Sequence, residues 1–239
     1  DILLKIDSGS SAYFEWGVTN ALPTNSVLKV GGVNSATARA QLDFCGFNQS
    51  LAGLNNGSVI GNCLRVITNS APSTATLELI LPDYATQHYT GHLAGPINIV
   101  KRGNGRQRLT GEAGTLSGEV LVEAGTLQLD ESALIQTPNL IVQRGATLEL
   151  LDSGAIENTT SQTILFAGMD KESATQPAII NIPEGINITV RNFAIDGYFR
   201  QAGVWGSTAS GADKSNDEIF TGLGTLTVDT AFGGDSFVI

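Results

Sequence analysis

Three near-copies of one phrase limit what this chain can fold into more than any other feature: Gly125-Thr-Leu-Gln-Leu129, Gly145-Ala-Thr-Leu-Glu-Leu150 and Gly224-Thr-Leu-Thr-Val228. In each, a glycine stands ahead of a short run in which apolar and polar residues alternate. Such alternation marks a strand with one buried face, and glycine at its start lets the backbone turn where a Cβ would obstruct it. The first two copies lie about 20 residues apart, the spacing of a stacked coil whose repeats bury their apolar sides only against their neighbours. Other short runs fill the chain, among them Ile2 to Ile6, Val27 to Val30, Gln41 to Phe44, Gln49 to Ala52, Leu64 to Ile67, Leu77 to Leu81, Ile97 to Val100, Glu119 to Val122, Leu140 to Val142, Ile179 to Ile182, Ile186 to Val190 and Phe193 to Ile195. No helical pattern interrupts them. The expected fold is all-β, a β-solenoid forming a single continuous rod over residues 1–239, with about ten coils and a length of roughly 50 Å.

Composition agrees with many short strands and tight corners. There are 28 glycines, 41% of residues are hydrophobic and 15% are charged. A formal net charge of −10 excludes a general basic field for nucleic acid or an anionic membrane. No apolar stretch approaches the ~20 residues of a membrane-spanning helix, so no membrane insertion is expected. The dense basic segment, Lys101-Arg-Gly-Asn-Gly-Arg-Gln-Arg108, reads as the decoration of one turn. No leader opens the chain, which begins on Asp1; a mature product and a piece of something longer both fit.

Few residues suggest chemistry. Cys45 and Cys63 are separated by a little under one coil, so a disulfide between adjacent coils is a candidate; two buried free thiols are the alternative. His88 and His92 would share a face only on a helix, and Thr90-Gly91 argues for strand or turn, so both are expected to face solvent. Asp130 with Asp152, or Glu131 with Asp152, could form a carboxyl pair across coils, but no phrase of a polysaccharide-cleaving enzyme surrounds them. Asp213, Asp217 and Glu218 could face a Ca²⁺, yet the glycine and the ligand spacing of a calcium loop are missing; a solvated acidic loop is the simpler reading. The expectation is no catalytic residue, no metal and no cofactor. Asn-x-Ser/Thr sequons at Asn48, Asn56, Asn158 and Asn187 carry little weight in a chain this rich in those residues.

Residues 20–130 also carry a family likeness. Gln41-Leu-Asp-Phe-Cys-Gly-Phe-Asn-Gln-Ser-Leu-Ala-Gly-Leu54, then Tyr89-Thr-Gly-His-Leu-Ala-Gly-Pro-Ile-Asn-Ile-Val-Lys-Arg-Gly-Asn-Gly105, then Val120 to Leu129, follow the order of motifs in the autotransporter-associated β-strand repeat, which this region resembles. The resemblance implies a right-handed parallel β-helix exported from a bacterial cell, extracellular or surface-bound. Phe44 and Cys45 replace the family's usual leucine and asparagine, Arg106 to Leu109 replaces a more β-branched run, and nothing through Ile239 resembles the membrane barrel of autotransporters.

Function is then expected to lie in the rod. Both ends, Ile2, Leu3, Leu4 and Ile6 at one and Phe237, Val238 and Ile239 at the other, are β-prone and apolar, with no polar cap or capping helix. Uncapped ends can stack head to tail without closing. The first expectation is a non-enzymatic structural subunit whose partners are copies of itself, assembling into a surface or matrix filament. The alternative is an adhesin or passenger fragment contacting carbohydrate or a host surface through Tyr198, Phe199 and Trp205, in a loop-rich coil at 196–222 expected to protrude. A polysaccharide-degrading β-helix enzyme is the third class.

Overall fold

A computed structural model describes residues 1–6, 11–32, 38–57, 63–111, 115–131, 137–156, 163–168 and 176–229, with Lys5, Ile6 and Gly32 described by backbone alone. Strands dominate it. The one helical element among the described residues is a 3₁₀ turn at Thr208–Ser210.

The strands fall into three recurring faces. Face one stacks Ala12–Glu15, Arg39–Asp43, Leu64–Thr68, His92–Gly95 and Thr115–Leu116, all parallel. Face two stacks Gln49–Leu51, Ala75–Ile80, Ile97–Arg102, Val120–Val122, Asn139–Val142, Ile164–Ala167 and Asn192–Ile195, again parallel. Face three holds Ile2–Ile6, Val27–Gly32 and Gly53–Asn56 in one sheet, and Thr86–Tyr89, Arg106–Thr110, Gly125–Asp130, Ala146–Leu150, Ile179–Asn181 and Phe220–Thr221 in another. From Arg39 to Asp130 the chain visits faces one, two and three in strict rotation. An all-β chain of parallel strands arranged so is compatible with a β-helix.

Alternation explains the interior. Leu51, Leu79, Val122, Val142 and Ala167 lie in one register line of face two, all fully buried, and Leu127 and Leu129 stack on Leu148 and Leu150 in face three. Glycine is needed where a corner stacks on the backbone below: Gly103 has φ +70°, and a Cβ there would lie 2.1 Å from the Leu81 carbonyl oxygen. The repeated phrase is only partly one structural unit. Thr126 and Thr147 are register partners, but the copy at Gly224 leads into Thr225–Val228, which pairs with Asn187–Val190 in a separate sheet.

The two sheets of face three are joined by a side chain. Gln107 is fully buried; its Oε1 accepts from the Leu54 N–H at 3.0 Å and its Nε2 donates to the Leu54 carbonyl at 3.0 Å. It does for Leu54 what a neighbouring strand does elsewhere. Asn56 Oδ1, accepting from the Thr90 N–H at 3.1 Å, adds to the splice.

Toward the later coils, antiparallel strands join the parallel ones. Tyr198–Phe199 pairs antiparallel with Asn192–Ile195, the last parallel strand of face two, and Gly203–Gly206 pairs antiparallel with Thr225–Val228. Both come from the 196–222 segment, expected to protrude: Tyr198–Phe199 is the outermost strand of face two, and Gly203–Gly206 lies between Thr225–Val228 and Lys214–Ser215, the latter parallel to it. Phe237, Val238 and Ile239 lie outside the described residues. At the other side Ile2–Ile6 is the outermost strand of its sheet, with Leu3 exposed and Ile2 and Leu4 packed against the core.

Candidate functional site

The aromatic trio turns partly inward. Phe199 meets Phe166 at 6.3 Å between ring centroids, and Trp205 stands edge-on to Phe193 at 5.9 Å, with its indole N–H donating to the Gln201 carbonyl at 2.9 Å. Phe193 in turn packs on Phe220 at 5.4 Å. Tyr198 is the one of the three with a largely exposed side chain. The trio holds the antiparallel edge down and offers no shared open ring face.

The two cysteines are free, and the register explains why a bridge between them fails. Arg39 pairs with Leu64, so Cys63 lies beside Ala38 at the start of face one, whereas Cys45 follows Asp43 at the far end of the neighbouring strand, beside Ser70. A strand of that length spans roughly 15 Å or more, against the ~4.4–6.8 Å Cα separation a disulfide tolerates. The coil here holds about 25 residues, longer than the spacing of the cysteines. Burial, with the Asp43 carboxylate adding to it, pushes the Cys45 thiol up, away from reactive thiolate.

Other candidates are committed locally. Asp217 accepts from the Thr208 N–H at 2.6 Å and the Thr208 hydroxyl at 2.7 Å, which holds its carboxyl below the usual range and ties the acidic loop to the 3₁₀ turn. Asp130 pairs with Arg108, and Asp152 accepts from the Gly154 N–H at 2.7 Å. His88 lies on face three, its Nε2 2.9 Å from Thr110 Oγ1; burial lowers its pKa, with Arg108 acting in the same direction. His92 belongs to face one, so the two histidines diverge. The sequon residues Asn48, Asn56 and Asn187 each accept a hydrogen bond from the following coil, from Thr76, Thr90 and Thr225; Asn158 lies outside the described residues.

The basic segment does not decorate a turn. Arg102 spans two neighbours on face two, Glu78 at 2.7 Å and Glu123 through two bonds of 2.8 and 3.0 Å. Hydrogen bonding to Glu123 raises its pKa further. Lys101 is fully buried, one register step from Leu79 and Val122, and its Nζ donates to the carbonyls of Arg102, Gly103 and Ala124 at 2.9, 2.7 and 3.0 Å. The signal was in the sequence: in Ile97-Asn-Ile-Val-Lys101, alternation carries the lysine to the inside.

The outer surface of face three is a polar ladder. Thr86, Arg106, Thr126 and Thr147 form one register line, and His88, Arg108, Gln128, Glu149 and Asn181 the next. Beside its first line lies an open hollow of about 430 Å³, lined by Asp83, Tyr84, Thr86, Asn104, Arg106 and Thr126 from three consecutive coils. Asn104 Nδ2 donates to Asp83 Oδ1 at 2.8 Å, and Tyr84 is fully exposed. Among the described residues, the Arg106 guanidinium pairs with Glu149 at 3.5 Å. Sequence reading missed this hollow because its residues come from corners, where no periodicity speaks.

The class that the strands define is all-β, with parallel strands compatible with a β-helix. A search of curated proteins finds the adhesin BmaC autotransporter of Brucella suis biovar 1 (strain 1330), 38% identical over 94 residues, covering 39% of this chain and 3% of that protein. The chain therefore spans a small fraction of the relative it matches. The match supports an autotransporter-related origin. No protein-family model matches the chain, and no solved structure matches it.

Proposed function

We propose that this chain is a segment of the exported passenger of a surface adhesin, a right-handed parallel β-helix running as one rod that holds polar contact surfaces away from the cell. The observation that carries this reading is the 94-residue match to an autotransporter adhesin, supported by strands that follow one another in rotation over parallel faces. The printed role of that relative, adhesion, favours a non-enzymatic part here, and a net charge of −10 disfavours nucleic acid as the contacted surface. The binding partner belongs to the host surface or its carbohydrate coat. The test is a plate assay in which the purified chain is offered to cultured epithelial cells, to matrix-protein coatings and to immobilised glycans. Saturable retention on at least one, competed by excess free chain, is expected; retention no greater than that of an unrelated acidic β-rich protein would overturn the reading.

A second reading, head-to-tail assembly into a filament, draws on Ile2–Ile6 as an outermost strand with Leu3 exposed. The antiparallel edge at Tyr198–Phe199 weighs against it, since a parallel coil cannot continue from it.

A further inference from the structure

One corner of the stack carries a cost that packing does not explain. The turn Pro82-Asp-Tyr-Ala85 closes with the Ala85 N–H donating to the Pro82 carbonyl at 3.1 Å, and its third residue, Tyr84, has φ +63°. The same turn recurs at Gln143-Arg-Gly-Ala146, closed at 3.1 Å, and at Pro183-Glu-Gly-Ile186, closed at 3.2 Å. There the third residue is glycine, Gly145 with φ +79° and Gly185 with φ +80°. A positive φ at this position is what glycine supplies without steric penalty, and a bulky aromatic residue there is strained by about 1 kcal/mol or more. Neither Gly145 nor Gly185 has any atom within 4 Å of where a Cβ would stand, so the corner has room for a side chain and no need of one. Tyr84 then leaves its ring wholly in water, so burial offsets none of the strain.

The ring instead borders the hollow. Beside it stand the hydrogen-bonded Asp83 and Asn104, the Thr86 and Thr126 side chains, two coils apart in one register line, and between them Arg106, whose guanidinium lies 3.5 Å from Glu149. We infer that this corner is a subsite for an uncharged hexopyranose unit of a glycan chain. The Tyr84 ring offers an apolar platform for the C–H face of the sugar. The Asp83 carboxylate accepts from one hydroxyl while Asn104, held against it, donates to or accepts from the adjacent one. Arg106 and the two threonines supply donors along the ladder, in the direction in which a further sugar unit would lie. A polyanionic glycan fits less well, because the hollow carries Asp83 beside Arg106 within a chain of net charge −10.

This inference rests on the adhesin reading and narrows it to one corner. The test is a ¹H–¹⁵N NMR titration of the whole chain with cellotetraose, mannotetraose and β-1,4-galactotetraose, run beside the cell-retention assay, for wild type, Tyr84→Gly, Arg106→Ala and the control Tyr13→Ala. Tyr13 is a second exposed tyrosine, remote in sequence on face one. With at least one tetrasaccharide, shifts are expected at residues 83–86 and 104–106, with a dissociation constant of about 1 mM or tighter. Tyr84→Gly is expected to weaken binding at least tenfold while leaving the melting temperature unchanged or raised, because glycine relieves the turn. Arg106→Ala weakens it several-fold, and Tyr13→Ala leaves it intact. Binding unaffected by Tyr84→Gly, shifts elsewhere, or no shifts with any of the three sugars would overturn the subsite. Cell retention that persists in those cases would leave the adhesin reading standing, and loss of both would end both.

Discussion

At single residues, two of the interior's departures from an apolar core have opposite consequences. Lys101 occupies an inside position whose register partners are Leu79 and Val122, yet its ammonium is surrounded by three carbonyl oxygens within hydrogen-bond distance. Without the lysine the Gly103 and Ala124 carbonyls would lose this donor, while the Arg102 carbonyl would keep the Leu81 N–H at 2.9 Å. Lys101→Met is therefore expected to lower unfolding stability by about 2 kcal/mol at neutral pH, seen as a lower urea midpoint at unchanged slope. Burial also pushes the lysine pKa down to about 8 from an ordinary 10.5. Between those values the unfolded chain binds more protons than the folded one, so stability rises with pH across that window and is flat below it. Wild type should show that rise and Lys101→Met should not; parallel profiles would mean the ammonium is not penalised. Tyr89 is the reverse case: fully buried, with a hydroxyl that has no hydrogen-bond partner among the described residues. Removing an unpaired hydroxyl restores nothing to water and relieves a desolvation cost. Tyr89→Phe is expected to leave stability unchanged or raise it by up to about 1 kcal/mol in the same urea assay, and a loss of that size would reveal a hidden partner.

At the level of elements, the glycine-led alternating runs were legible because two physical periods coincide in them, the pleat along a strand and the coil length between strands. Leu127 and Leu129 over Leu148 and Leu150 are what that coincidence predicts. Arg106–Thr110 was not legible as a strand. Its outward residues are two arginines and a threonine, its inward ones Gln107 and Leu109, and only the parallel neighbours on both sides make Arg-Gln-Arg extended. Nor could the sequence announce that face three is broken and spliced by Gln107, since a buried amide binding Leu54 across the chain looks like any surface glutamine. The hollow at Tyr84 was half legible: Pro82-Asp83 marked a turn, but its significance needed comparison with the glycine at the same place in two other turns. The splice has a direct test. Gln107→Leu keeps the volume and removes both bonds to Leu54, leaving a buried N–H and a buried carbonyl unpaired. A loss of about 2–4 kcal/mol is expected, with faster hydrogen exchange at the Leu54 amide; exchange unchanged at Leu54 would mean that the two sheets are joined by something else.

For the whole molecule, the question is whether the stack can grow. Coils lengthen by parallel pairing, and an antiparallel strand laid on an edge presents the next coil with the wrong hydrogen-bond pattern. Tyr198–Phe199 does this on face two, held by Phe199 on Phe166; Gly203–Gly206, held by Trp205 on Phe193, is antiparallel to Thr225–Val228 and carries Lys214–Ser215 parallel on its outer side. Sequence could not distinguish this cover from a ligand loop, because exposed aromatic residues and edge-pinning ones have the same composition. If the cover governs association, wild-type chain should keep one molar mass across a concentration series in light-scattering chromatography. Phe199→Ala with Trp205→Ala should loosen the cover, lower the melting temperature and shift mass toward larger species as concentration rises, through newly available strand edges. Tyr198→Ala, which removes an exposed ring and leaves both aromatic contacts, should behave as wild type. Filaments formed by the wild-type chain would instead mean that growth proceeds past this cover, and would return the head-to-tail reading to first place; a double variant that stays at the wild-type mass would show that the aromatic anchors do not restrain assembly.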